Sequence, residues 1–394
     1  MKAEAAIATG TTASEVVDAL IAQLPMLNGG PEVDLAFLFT SDAYASDLPA
    51  VMPALKQRTG AKVLLGCSGQ GLIGPGKEEE QLPAMSLQVL SLPGAVLTPL
   101  RLDAEEVGGP DAADLIRERL GEQVLDINAM FLFVDPFSVD GERLLESVAV
   151  VDEELPVVGG LASSKFSRRG TYVLLDGEVF EDGLVGVAIG GAFEVKTVVS
   201  QGAAPLGETW TITGVQDNLI QSIGMRPAIE VLGDMFKKLP PEIQVRARAN
   251  LLVGLAMNEY RDEFGRGDFL VRNLLGVDRE TGAVAIGAMP REGQTVQFQL
   301  RDPTAADEDL RELLGKARLE LEGREIAGAV LCSCNGRGVG LFGAPDHDAK
   351  TFMEEMGSIP VAGFFCNGEI GPVGGRNFLH GFTASIALIL PKEQ

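Results

Sequence analysis

Two stretches of this chain bring together residue types that can recognise a small charged molecule. Cys332-Ser-Cys-Asn-Gly-Arg-Gly-Val-Gly340 offers Asn335 and Arg337; Val361-Ala-Gly-Phe-Phe-Cys-Asn-Gly-Glu-Ile-Gly-Pro372 offers Asn367 and Glu369. An arginine presents a planar fork suited to a carboxylate, and a glutamate accepts hydrogen bonds from an ammonium. One cation and one anion on neighbouring loops fit a free amino acid or a similar zwitterion. Asn335, Asn367, Ser163 and Ser164 would add neutral donors and acceptors. The competing reading is a pair of tight turns closed by an Arg337–Glu369 salt bridge.

Catalytic chemistry has less to draw on. The four cysteines, Cys67, Cys332, Cys334 and Cys366, all fall at strand ends or glycine breaks, but paired Cys-x-x-Cys knuckles for zinc are absent. No histidine lies near Cys67 or Cys334 in sequence to activate either as a nucleophile. His347, in Pro345-Asp-His-Asp348, reads as part of a solvated helix start, and His380 sits between apolar residues. Gly69-Gln-Gly-Leu-Ile-Gly74 matches a dinucleotide fingerprint literally. Pro75-Gly76 and the acids Glu78 to Glu80 follow where a helix N-terminus should hold the phosphates, so that reading is rejected.

The elements that must position these residues repeat. Asp34-Leu-Ala-Phe-Leu-Phe39 is a bare apolar run of strand length, followed by a helix over 48–58 and a strand ending in Gly66-Cys-Ser-Gly69. Met130-Phe-Leu-Phe-Val134, a helix over 141–151 and Pro156-Val-Val158 opening into Gly159 repeat that order. Ala329-Val-Leu331, a helix over 349–356 and Pro360-Val-Ala362 opening into Gly363 repeat it again. Gly66, Gly159 and Gly363 fall in equivalent places, and hairpin strands follow each. The pattern predicts an α/β chain of the mixed α+β kind, with mixed sheets covered by helices in two packed lobes and the glycine breaks gathered on one side. Between the second and third copies the periodicity predicts a strand over 206–213, helices over 226–238 and 303–321, and several further strands. The division is placed near residue 225, giving lobes 1–225 and 226–394.

The bulk properties exclude several classes. At 394 residues and 46% hydrophobic the chain can bury a substantial core. A net charge of −24 argues against a nucleic-acid face and against anionic lipid surfaces. No apolar run has membrane-spanning length, and the first residues lack the apolar core of a secretory signal. Four cysteines are too few for a disulfide framework, so a cytoplasmic location is expected.

Cys334-Asn-Gly-Arg-Gly338, Pro360-Val-Ala-Gly-Phe364 and Asn367-Gly-Glu-Ile-Gly-Pro372 resemble the C-terminal half of the FIST (F-box and intracellular signal transduction) family. Phe37-Leu-Phe-Thr-Ser41 and Leu65-Gly-Cys-Ser-Gly69 are similar to its N-terminal half. The resemblance implies a sensory module that binds a small ligand, with amino acids the favoured class, and signals through a separate protein without catalysis. The family's C-terminal motif maps onto Asn335, Arg337, Gly368 and Glu369; its N-terminal motif maps onto Cys67 and Ser68. Some relatives bind haem and sense nitric oxide, for which His380 or His347 would be the axial ligand here. That leaves three expectations in order: a ligand sensor with no cofactor, a haem-based gas sensor, and a cysteine enzyme acting on a small metabolite.

Overall fold

The computed structural model describes residues 1–121, 126–165, 170–261 and 263–393. It divides into two compact units. One comprises Met1–Val199, Leu310–Leu379 and Thr383–Gln394, and the other comprises Ser200–Asp309 with His380–Phe382. These spatial units differ from lobes cut once near residue 225, because the third copy of the repeat lies in the same unit as the first two.

In the larger unit each copy forms the middle of a six-stranded sheet. The first sheet runs Lys2–Thr9, Ala84–Ser91, Leu35–Thr40, Val63–Ser68, then Val173–Leu175 and Glu178–Phe180. The second runs Ala95–Leu102, Leu184–Gly191, Ile127–Val134, Val157–Leu161, then Glu369–Val373 and Arg376–His380. The third runs Phe193–Gln201, Thr383–Pro391, Gly328–Cys334, Val361–Cys366, then Leu72–Gly74 and Lys77–Glu79. In each sheet the two central strands are parallel and the strand beyond them is antiparallel, so the sheets are mixed as expected.

The last two strands of every sheet come from a different copy. The hairpin after Gly66 joins the third sheet, the hairpin after Ser164 joins the first, and the hairpin after Gly368 joins the second. The exchange is cyclic.

Side-chain alternation explains why the central strands are apolar throughout. Leu35, Phe37 and Phe39 point into a core shared with Phe131, Phe133, Val330, Cys332 and Phe364. Their neighbours Ala36 and Leu38 point the other way, into a core with Val16, Leu20, Met52 and Leu55 of the helices Ala13–Gln23 and Leu48–Thr59. The second and third copies repeat this, with Leu132 and Leu331 packing against helices Gly141–Val151 and Pro303–Glu320. Both faces of each strand are therefore covered. In the shared core the Phe39 and Phe364 rings stack at 4.9 Å, and Phe133 meets both edge-on at 5.2 and 5.9 Å.

The three equivalent glycines have one structural cause. A Cβ on Gly66, Gly159 or Gly363 would collide with the carbonyl oxygen of Leu38, Leu132 or Leu331, its partner on the parallel strand. Only glycine fits there.

The smaller unit was not anticipated in this form. Its strands pair antiparallel in the order Ala203–Gln216, Thr295–Arg301, Leu251–Ala256, Phe269–Val277, Val284–Ile286 and Leu219–Ile223, with Arg226–Pro227 at the end. Ala203–Gln216 also pairs with Leu219–Ile223, so six strands close into a barrel. Helices Ala228–Lys238 and Pro241–Asn250 pack on it through Val231, Met235 and Ala247.

Candidate functional site

The loops that leave the second strand of each copy meet at one place. Ser163 N–H donates to Ser68 O (3.1 Å), Asn367 N–H to Leu161 O (3.0 Å), and Phe365 N–H to Gly71 O (2.9 Å). The Ser163 hydroxyl accepts from Gln70 N–H at 2.7 Å and donates to Phe365 O. These bonds tie three loops, one from each copy, into a floor. Gln70, Ser163 and Asn367 stand four residues after Gly66, Gly159 and Gly363, so the repeat itself brings them together.

Above this floor lies a cavity of about 490 Å³, a size that suits a small ligand. Gln70, Ser163, Ser164, Asn335 and Asn367 line it, with Phe137, Lys165 and Thr171 at its side. Among the described residues its lining holds no carboxylate, cysteine or histidine. The Asn335 Oδ1 atom is buried without a hydrogen-bond partner. Phe137 is 60% exposed, unusual for a phenyl ring.

Arg337 and Glu369 do not pair with each other, so the competing reading of a salt bridge between them does not hold. Arg337 is buried, and its Nε and Nη2 donate to Asp348 Oδ2 and Oδ1 at 2.7 and 2.9 Å. Burial opposes both charges of this pair, but each holds the other ionised, so Asp348 stays well below the usual carboxylate range. Ser333 Oγ (2.7 Å) and His347 Nδ1 (2.9 Å) complete the shell around Asp348. Sequence reasoning took Asp348 for a solvated helix-start residue. Its low accessibility leaves no sequence signal, because Pro345-Asp-His-Asp348 is polar throughout.

Glu369 lies beneath the floor. Its Oε2 accepts from Thr383 N–H at 3.1 Å, and Cys366 Sγ lies 3.3 Å from its Oε1. Burial pushes its carboxyl up to about 8. Neither Arg337 nor Glu369 lines the cavity. The expected cation-and-anion grip on a zwitterion is therefore absent from this geometry.

The other expected residues divide between floor and core. Ser68 is buried and its Oγ accepts from Tyr172 N–H at 3.1 Å, which fixes the donated hairpin. Gly368 takes φ +144 at the turn into the hairpin and its carbonyl accepts from Leu161 N–H. Cys67 is wholly buried in the shared core; burial raises its thiol well above the ordinary value, and the same holds for Cys332 and Cys366. Cys334 is half-buried, with Gly336 N–H 3.4 Å from its sulfur. The literal dinucleotide pattern ends in the strand Leu72–Gly74 rather than a helix.

The histidines do not fit a haem at this cavity. His347 has one ring face stacked on Phe342, with centroids 3.3 Å apart, and its Nδ1 bound to Asp348. His380 is 3% exposed and belongs to the smaller unit. Neither lines the cavity.

Gln70, Phe137, Lys165 and Thr171 were missed as site residues. Gln70 was within reach: applying the glycine-to-loop offset seen at Ser163 and Asn367 to Gly66 gives it directly.

Three interleaved copies of one mixed α+β unit place a polar cleft where their loops meet. The FIST N domain family model matches residues 34–226 and the FIST C domain model matches residues 228–372. The chain belongs to the FIST family, whose domains are signal-transduction sensor domains. It is similar to an uncharacterized protein of Mycobacterium tuberculosis, 38% identical over 356 residues, covering 90% of this chain and 91% of that one. An uncharacterized Mycobacterium bovis protein is 37% identical over 361 residues, with 92% of each covered. Among solved structures, a cyanuric acid hydrolase aligns over 100% of both chains with 9% identity and a TM-score of 0.34. A second, from A. caulinodans, aligns over 99% of this chain and 100% of that one, with 9% identity and a TM-score of 0.38. At those values nothing about this chain follows from them.

Proposed function

We propose that this protein is a cytoplasmic sensor that binds a small ligand, an amino acid or related metabolite, without catalysis, and passes its occupancy to a separate signalling protein. The observation that carries this reading is the convergence of Gln70, Ser163 and Asn367, equivalent residues of three copies, on one polar cleft. Each of their loops continues into a hairpin held by another copy's sheet, so a ligand on the floor touches all three sheets at once. Family membership supplies the sensory role.

Two features favour binding over chemistry. The Ser163 hydroxyl is held on both sides by Gln70 N–H and Phe365 O, and Lys165 of the same lining gives its Nζ to Glu80 O and Gln81 Oε1 rather than to Ser163. The buried thiols have raised pKa values and so remain protonated at neutral pH, which makes them poor nucleophiles.

The test is thermal unfolding of the full chain against amino acids, small carboxylates and haem. A ligand at a hundred times its Kd adds about 2.7 kcal/mol of stability, a readable shift. A selective shift that disappears in Asn367→Ala, an exposed position, supports the reading. A shift with haem alone would replace it with the gas-sensor function, and a shift untouched by Asn367→Ala would move the ligand out of this cleft.

A further inference from the structure

We infer that the group recognised in the cleft is an uncharged planar amide or ureide edge, carrying N–H and C=O side by side, rather than a carboxylate. This rests on the sensor reading above and specifies the chemistry of the same cleft. Three residues with primary carboxamides, Gln70, Asn335 and Asn367, line it from three different loops. Each offers a donor and an acceptor and carries no charge. Asn335 Oδ1 is the sharper observation: a buried acceptor with no partner, which a ligand N–H would satisfy.

Charge points the same way. The nearest buried carboxylates are engaged with their own donors: Asp135 accepts from Ser138 Oγ at 2.6 Å and Thr171 Oγ1 at 2.5 Å, and Asp42 accepts from Lys165 N–H at 3.2 Å. Arg337 is committed to Asp348, and Lys165, the cation of the described lining, donates its Nζ to Glu80 O and Gln81 Oε1. A carboxylate entering the cleft would bring only acceptors to a buried acceptor. An amide edge brings one of each. Phe137, exposed at the side of the cleft, offers a flat apolar face on which a planar group can lie.

The same edge occurs on a side-chain carboxamide of an amino acid and on a pyrimidine-type ring. Isothermal titration of the full chain separates them, using glutamine, asparagine and uracil alongside glutamate, aspartate and N-methylated uracil. The expected result is binding by one amide or ring compound, with the matching acid, or the N-methylated ring, at least about 100-fold weaker, as for sites built to hydrogen-bond an N–H. Glutamine or asparagine alone would assign the amino-acid source; uracil alone would assign the ring. In either case Asn335→Ala should weaken binding at least about tenfold, and Asn367→Ala keeps the test open if Asn335→Ala does not fold. An acid that binds as tightly as its amide, with binding lost in Asn367→Ala, overturns the inference and leaves the sensor cleft standing. Binding that neither variant changes overturns both, and no binding by any of these compounds overturns this inference, leaving the sensor reading to the wider thermal panel.

Discussion

At the scale of single residues, the strongest commitments are buried polar groups outside the cleft lining. Arg337 and Asp348 form a doubly hydrogen-bonded pair at 1% side-chain exposure each. Removing one partner strands the other charge, which costs about 3–5 kcal/mol. Arg337→Met should lower stability by that order in urea unfolding, and the Asp348→Leu double variant should recover part of the loss. A small effect from the single variant would mean the pair is not buried as described. Glu369 and Glu78 make a separate, pH-dependent prediction. Burial raises each to about 8, and for Glu78 the neighbouring Asp348 adds to the rise. A raised carboxyl is protonated in the native state over a range where the unfolded chain has lost its proton. Its stabilising contribution is therefore present at acid pH and lost as pH rises from about 4.5 to about 8. Glu369→Gln should flatten the decline in Tm across that window; an unchanged slope would show that Glu369 is ionised in the native protein. Asp348 acts with the opposite sign, its contribution being lost only as pH falls below the carboxylate range.

At the scale of elements, close strand pairing and helix caps set the cost of change. Gly66→Ala, Gly159→Ala and Gly363→Ala should each destabilise by more than about 1–3 kcal/mol, since the new methyl meets a backbone carbonyl rather than a side chain that could move. Similar losses in all three by chemical denaturation would confirm their equivalence, whereas a neutral variant would break it. These features were legible because their causes are local. The apolar runs marked the central strands, and the glycine breaks marked the parallel pairs. The donated hairpins were not legible. Leu72–Gly74 and Lys77–Glu79 are three residues each, and nothing within them says which sheet they will join. That choice is made by pairing with Gly363 and Phe364, nearly three hundred residues away in sequence. The barrel escaped for the same reason, since its closure depends on a long-range pairing. The site followed suit: the loops were visible, but Arg337 was assigned to the ligand because its partner Asp348 could not be seen to be buried.

At the scale of the whole molecule, the hairpin exchange means that the sequence halves are not folding units. A cut between residues 226 and 228, where the two family models meet, separates Leu72–Glu79 from the third sheet and Glu369–His380 from the second. It also separates Ala203–Gln216 and Leu219–Ile223 from the other barrel strands. The third sheet without its donated hairpin would expose the edge of Val361–Cys366, an apolar strand with every residue buried in the intact protein. Unpaired edges of that kind template aggregation. Expressed alone, residues 227–394 should be insoluble or lack a cooperative unfolding transition. Expressed with residues 1–226, the two fragments should associate and recover one. Circular dichroism and size-exclusion chromatography of the separate and combined fragments read this directly. A C-terminal fragment that unfolds cooperatively by itself would mean that the exchanged hairpins decorate the sheets rather than complete them, and a ligand on the floor would then have no structural route from one copy to the next.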